Sequence, residues 1–252
     1  MTTTRHPHLN VRPLAVALVG FVVVVSLAAC GSSSNGGTDD TTTTKASTSK
    51  GTSGELVGTF GIDAASCTAA GAPTGSYFRM VKSGGNLDAG PFVDNADSSC
   101  TDKSYTALAP GTDGGLVTGS YQEQPDPPFD AAGKATAGKI VTPTAFFGAP
   151  FAVSTNPTDP ASKTKVATPV VSVADGKLTG NVGAVSVAWN GQQFNQGAPK
   201  PDGSKPGSTT DLSGTYDAKT GAYTIEWASQ IVGGPFDGFT GVWHLEGTFE
   251  AS

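Results

Sequence analysis

Arginine all but vanishes from this chain after its first dozen residues, and Arg79 is the single one beyond Arg12. Clusters of arginine that grip phosphate or read guanine are therefore missing. Fifteen Lys and Arg stand against 21 Asp and Glu over the 252 residues; without Arg5 and Arg12, thirteen bases face the same 21 acids, a formal −8. That balance excludes nucleic acid as the expected partner, and equally a polybasic patch for lipid headgroups. Histidine is almost as scarce, since only His6, His8 and His244 occur. With the first two in the leader described below, no histidine cluster for zinc can be assembled, and no metal site is expected. A Ser-His-Asp triad around His244 would lack the GxSxG turn that marks a nucleophile, so no catalytic residue is assigned; His244 reads as a surface-facing or hydrogen-bonded side chain of a strand. No cofactor is expected. Past residue 30 the sequence also has no sustained helical period, and its 34 Gly and 17 Pro would interrupt a long helix.

What is present begins with an export pattern. Residues 1–13 carry Arg5 and Arg12 and no acid, and Leu14 to Val25 form an uncharged apolar run. Leu14 to Ala29 is 16 residues, short of the ~20 that a membrane-spanning helix needs. The run ends in Leu27-Ala28-Ala29-Cys30, which resembles the lipobox of bacterial lipoproteins. The resemblance implies a signal peptide over 1–29, a diacylglyceryl group on the thiol of Cys30, and attachment to the outer face of the cell membrane through that lipid. Two acyl chains give stable attachment where one is marginal. High Gly, Ala, Thr and Pro with few Lys and Asn resembles lipoproteins of actinobacteria. From Gly31 to Gly54 the chain is Ser-, Thr- and Gly-rich, and with Cys30 it reads as a disordered tether over 30–54; as a flexible coil its 24 residues after Cys30 span roughly 27 Å.

Cys67 and Cys100 remain as an even pair in an oxidising compartment, without CxxC spacing or a nearby histidine, and are expected to form a disulfide. The segment between them, rich in Gly, Ala, Ser and Asp, offers little core of its own.

Residues 55–252 read as one all-β domain, an antiparallel β-sandwich or barrel with little or no helix, because short alternating segments alternate with turn residues. Asp175-Gly176 and Asn190-Gly191 each follow an apolar alternation and predict two consecutive hairpins. Leu212 to Tyr216, Tyr223 to Trp227 and Phe239 to Phe249 predict three more strands. A pentapeptide of apolar residue, any residue, Gly, small polar residue, then aromatic or Val recurs from Leu56, Val117, Leu178, Leu212 and Leu245. Its glycine shares a face with two bulky neighbours, where it permits close packing or a sharp coil of the strand. The first and last copies are expected side by side, Leu56 to Phe60 against Leu245 to Phe249, which removes two edges.

Trp189 and Trp227 lie in register with Val187 and Ile225, which favours core, and with Trp243 they also have the chemistry of a sugar platform or a cavity lining. Pro91-Phe92, Pro128-Phe129, Pro150-Phe151 and Pro235-Phe236 are expected where strands start, with Phe plugging the end of the core. Asp94, Asn95, Asp97 and Asp102 have oxygens that calcium accepts but not the spacing of a dedicated loop, which favours turn chemistry. Gly233-Gly234-Pro235-Phe236-Asp237-Gly238-Phe239-Thr240-Gly241 is the most distinctive stretch and suggests no activity by itself. The expected function is a non-catalytic domain for a small apolar or carbohydrate ligand. A structural protein facing cell-wall polymer or another envelope protein is the alternative, and an extracytoplasmic hydrolase the third.

Overall fold

The computed structural model describes residues 53–67 and 71–252; the leader 1–29, Cys30 and the tether as far as residue 52 lie outside the described residues. Among those described there is no α-helix, and fifteen strands form two antiparallel sheets. Both expected hairpins are present. β9 (Val170–Ala174) and β10 (Lys177–Asn181) are joined by Asp175 and Gly176 at φ 50° and 74°, and β11 (Val185–Trp189) and β12 (Gln192–Asn195) by Asn190 and Gly191 at 46° and 74°. Two successive positive φ values make the tight turn whose twist suits the flanking strands, and Asp-Gly and Asn-Gly adopt them at little cost.

The larger sheet runs β1 (Ser53–Glu55), β9, β10, β13 (Thr210–Tyr216), β14 (Ala222–Gln230), β15 (Thr240–Ala251), β2 (Gly58–Ile62), β6 (Gly115–Val117). β3 (Tyr77–Asn86) pairs with β15 and also with β4 (Gly90–Phe92) and β5 (Thr106–Ala107). β15 is the spine: β14 follows one edge from end to end, while β3 takes the first half of the other edge and β2 the second. Phe60 therefore stands opposite Phe249, and the first and last copies of the pentapeptide are neighbours as expected. The sheet curls into a half-barrel; Leu56 N to Val171 O (2.8 Å) extends the pairing of β1 with β9, and Gly119 N to Pro169 O (3.0 Å) links the segment after β6 to the one before β9. Ser53 and Gly54, read as the end of the tether, belong to β1 and pair with Ala174 and Val173.

Four of the five repeated glycines sit where strands approach too closely for a side chain. A Cβ on Gly58, Gly180, Gly214 or Gly247 would lie far inside contact distance of the carbonyl oxygen of Glu250, Val170, Thr224 or Gly61 respectively. The copy from Val117 departs from the pattern, because its strand ends at Val117 and Gly119 occupies a bend at φ 79°.

The smaller sheet has the order β12, β11, β8 (Ala149–Thr155), β7 (Thr144–Phe146). Phe151, Val153, Val185, Val187 and Trp189 join the main core with the curled sheet. On the other face Ala152 and Ala188 pack with Ala135, Ala137 and Phe129 of the preceding segment. Both faces are thus covered, so Ser186 is fully buried, and its hydroxyl accepts from Asn156 Nδ2 (2.5 Å) and Gln124 Nε2 (3.2 Å).

Cys67 and Cys100 are disulfide-bonded, with Cα atoms 5.0 Å apart. The segment they enclose contributes more core than its composition suggests: Phe78, Met80, Val81 and Val93 are all buried. Phe78 and Met80 alternate inward along β3, a two-residue period that the surrounding Gly, Ser and Asp conceal.

Candidate functional site

The three tryptophans occupy strands as their periodicity predicts, and all are buried. Each indole N–H is satisfied inside the protein. Trp189 Nε1 donates to Phe146 O (2.8 Å), Trp227 Nε1 to Gln196 O (2.8 Å), and Trp243 Nε1 to Gln196 Oε1 (3.3 Å). Trp227 and Trp243 stack with ring centres 5.8 Å apart and planes 9° from parallel. Trp227 belongs to the core, whereas Trp189 and Trp243 line a cavity of about 40 Å³ together with Phe78, Phe151 and Phe236. A buried space holding one benzene ring measures about 150 Å³, so the cavity accepts a ring only if a wall moves.

Phe236 is the wall best placed to move. It lies on a one-turn 3₁₀ segment, Gly234–Phe236, half-buried, with its ring 5.4 Å from Trp189 and 5.8 Å from Phe146. Gly233, Gly234 and Gly238 bracket it at φ 82°, 70° and 78°, conformations that a side chain would resist. The neck of the loop is fixed by Gly238 N donating to Ile231 O (2.9 Å) and Ile231 N to Phe239 O (2.7 Å). The tip is held only by hydrogen bonds within the loop, Gly233 N to Asp237 Oδ1 (2.6 Å) and Phe239 N to Phe236 O (3.0 Å) among them.

Phe147 faces Phe236 across the mouth, ring centres 5.5 Å apart. It occupies the two-residue turn between β7 and β8 at φ 51°, and 51% of it is exposed. A bulky residue in the left-handed region costs about 1–2 kcal/mol, and Asn or Gly would normally stand there. An exposed aromatic ring held in a strained turn beside an apolar cavity is the kind of local cost that collects at binding sites.

The Pro-Phe pairs divide. Pro91 and Pro150 do sit at strand entries, second in β4 and in β8, but Phe129 makes only an isolated bridge to Ala135 and Phe236 lies on the 3₁₀ segment. Only Phe151 and Phe236 reach the cavity. Phe92 instead lies under Arg79, whose guanidinium carbon is 3.3 Å from the ring centre. Of the residues considered for calcium, three serve as acceptors for turn backbone: Asn95 Oδ1 accepts from Asp97 N (3.1 Å), Asp97 Oδ2 from Gly148 N (2.6 Å), and Asp102 Oδ1 from Ser104 N (2.9 Å). The Ser104 bonds hold the Asp102 carboxyl below the usual range.

His244 lies on the outer face of β15, stacked on Tyr77 with ring centres 4.4 Å apart. Its Nδ1 is 2.6 Å from Glu226 Oε1 and its Nε2 3.4 Å from Glu246 Oε2, so its partners are carboxylates rather than a serine. Burial lowers the imidazole pKa, but the bonds and charges of Glu226 and then Glu246 outweigh it, and the net shift is upward. Glu226 is held down by its bond to His244, and burial together with the Glu226 charge pushes Tyr77 up to about 12. A raised histidine contributes stability fully present below its unfolded pKa and lost as pH rises through the folded value. A depressed glutamate contributes above its unfolded pKa and loses it on acidification. The pair therefore contributes most between about pH 4.5 and 6.5. His244→Gln is expected to cost about 1 kcal/mol in that window, with Glu226 half-exposed. Melting curves of both proteins should differ most near pH 5.5, and the difference should shrink as pH rises through the raised pKa of His244.

Sequence reading misses a buried polar chain beneath the cavity. Gln196, which receives two indole N–H groups, donates from Nε2 to Asn195 O (3.1 Å), and Lys200 Nζ donates to Asn195 O and Oδ1 (both 3.3 Å) and to Ser229 Oγ (2.6 Å). No local motif marks these residues, since the chain is assembled from a strand end, a loop and β14. No protein-family model matches the chain, and neither a curated protein nor a solved structure resembles it at a significant level.

Proposed function

We propose that this chain is a membrane-anchored extracytoplasmic lipoprotein whose β domain binds one small apolar ligand behind Phe236. Support for the anchor comes from the leader and from Leu27-Ala28-Ala29-Cys30. Support for the ligand comes from one arrangement, an apolar cavity walled by Trp189 and Trp243 and stoppered by an aromatic side chain on a glycine-bracketed loop. In the closed state Phe236 fills the place of the ligand, packed on Trp189, Phe146, Phe147 and Phe239. Swinging it outward gives up the contacts with Trp189 and Phe146, which an entering apolar ring replaces, its burial contributing ~25 cal/mol per Å². The envelope-interaction alternative has less behind it, because Val57, Phe147 and Val232 are the only large exposed apolar residues among those described.

Bromobenzene, an apolar one-ring probe that quenches tryptophan, tests the ligand reading. Saturable quenching of the full chain is expected, with several-fold tighter binding in Phe236→Ala, where no stopper must be displaced. That variant should lose only about 1 kcal/mol of stability, because the ring is half-buried. Linear, collisional quenching that is the same in both proteins would overturn the proposal. For the anchor, the intact mass of the protein from its host membranes should exceed that of the cleaved polypeptide by two or more acyl chains, and Cys30→Ser should remove both the excess and the membrane attachment.

A further inference from the structure

Asp159 is 3% exposed, and its two carboxylate oxygens fare differently. Oδ1 accepts from Ala161 N (3.0 Å), Ser162 N (2.6 Å) and Ser162 Oγ (2.8 Å), while Oδ2 is buried without any partner. A buried carboxylate oxygen without a donor is costly and rare in a native fold. Asp159 is one of the residues that line a pocket of about 180 Å³, together with Lys200, itself 7% exposed, and Asp202. Ser162 and Ser204 add hydroxyls, and Pro206 and Val232 give the pocket an apolar side. This pocket is separate from the aromatic cavity: Asn195 lines it, whereas its neighbours Phe194 and Gln196 line the cavity. Successive side chains of an extended segment point in opposite directions, which places the two spaces on opposite sides of the chain.

We infer that this pocket is a second binding site, which takes a single neutral, polyhydroxylated six-membered ring, one hydroxyl of which donates to Asp159 Oδ2. The missing partner must be a donor, because the unmatched atom is an acceptor. An anionic ligand is disfavoured by Asp159 and Asp202, which outnumber the Lys200 ammonium, while a hydroxyl donor needs no charge of its own. Lys200 keeps its charge in neutral solution: burial lowers it to about 8, against the upward pull of Asp159 and Asp202. A net-neutral molecule with many hydroxyls matches this mixture of donors and acceptors. Its C–H face would rest on Pro206 and Val232, and 180 Å³ is the scale of one ring, given that about 150 Å³ holds benzene.

Saturation-transfer NMR on the full chain with D-glucose, D-galactose, D-mannose and N-acetylglucosamine tests this, and the β-1,4-linked trimer of the last distinguishes a free sugar from the end of a polymer. At least one sugar is expected to give a saturable signal. Asp159→Asn keeps Oδ1 for the turn but replaces the free acceptor with a donor, and should weaken binding about tenfold or more. Val232→Trp offers a second variant at an exposed position, where the larger side chain fills the pocket and should abolish the signal without disturbing the buried groups. Phe236→Ala should leave sugar binding unchanged, so failure of the apolar site and failure of this one are separable. No saturable signal from any of the five sugars, or equal binding by Asp159→Asn and Val232→Trp, would overturn the inference and leave Asp159 Oδ2 to a water molecule.

Discussion

Gly247→Ala is expected to destabilise the domain by about 3–5 kcal/mol, among the largest effects of any single methyl group added to this fold. Gly247 lies at the centre of β15, where the strand passes from its contact with β3 to its contact with β2. The added Cβ would meet Gly61 O, then Gly61 C at 3.0 Å and Asp63 N at 3.1 Å, all of them backbone atoms that no rotamer change can move aside. Relief would require β2 to withdraw from β15, breaking the pairing of residues 58–62 with 247–251 and opening the seam between the first and last copies of the repeat. Gly247 also has a positive φ, 157°, and Gly191→Ala gauges what such a dihedral costs without close approach. Gly191 has φ 74° but nothing within 4 Å of its would-be Cβ, so only the left-handed conformation is penalised, by about 1–2 kcal/mol. Denaturant melts of the two variants should therefore differ by about 2 kcal/mol or more. Equal losses would show that close approach of the strands is not what the repeated glycine serves.

That contrast also shows why parts of this fold are legible in sequence and others are not. The hairpins at Asp175-Gly176 and Asn190-Gly191 are encoded within a few residues, because turn type depends on local φ and on nothing distant. The pairing of Leu56–Phe60 with Leu245–Phe249 is a long-range contact, yet it is readable because both partners carry the same close-packing pattern and both would otherwise be edges. β3 escapes notice because its inward residues, Phe78 and Met80, alternate with Tyr77 and Arg79 for only a few positions before Val81 breaks the period and Ser83, Gly84 and Gly85 follow. The candidate sites are less visible still. Pro235-Phe236 stands out as a motif, but that its ring stoppers a cavity depends on Trp189 and Phe146, about 50 and 90 positions away along the chain. Asp159 and Lys200 look like ordinary loop charges, since nothing in a short window distinguishes a solvated Asp-Pro or Lys-Pro from a buried one. Their burial arises only when the loops after β8 and β12 come together over β14.

Removal of the Cys67–Cys100 bridge is expected to cost about 3–4 kcal/mol, the loop-entropy value for the 34 residues it closes, and to lower the melting temperature by roughly 10 °C for a domain of this size. Most of that loss should arise in the unfolded chain. β3 lies within the closed loop, but its position is fixed by five residue pairs with β15, Thr240↔Val81 through His244↔Tyr77, and by the burial of Phe78 and Met80. Cys100 lies in a turn already held by Cys100 N to Ser98 Oγ (3.1 Å) and Asn95 N to Lys103 O (2.7 Å). Cys67→Ser with Cys100→Ser in the full chain should therefore keep the native backbone and the buried environments of Trp189 and Trp243, and melt earlier. Tryptophan emission before the transition should match that of the parent protein. If the emission shifts at low temperature, the bridge is also needed to hold β3 in place, and its contribution lies partly in the folded state. A melting temperature unchanged by the double substitution would mean that the unfolded chain keeps residues 67 and 100 close together without a covalent link.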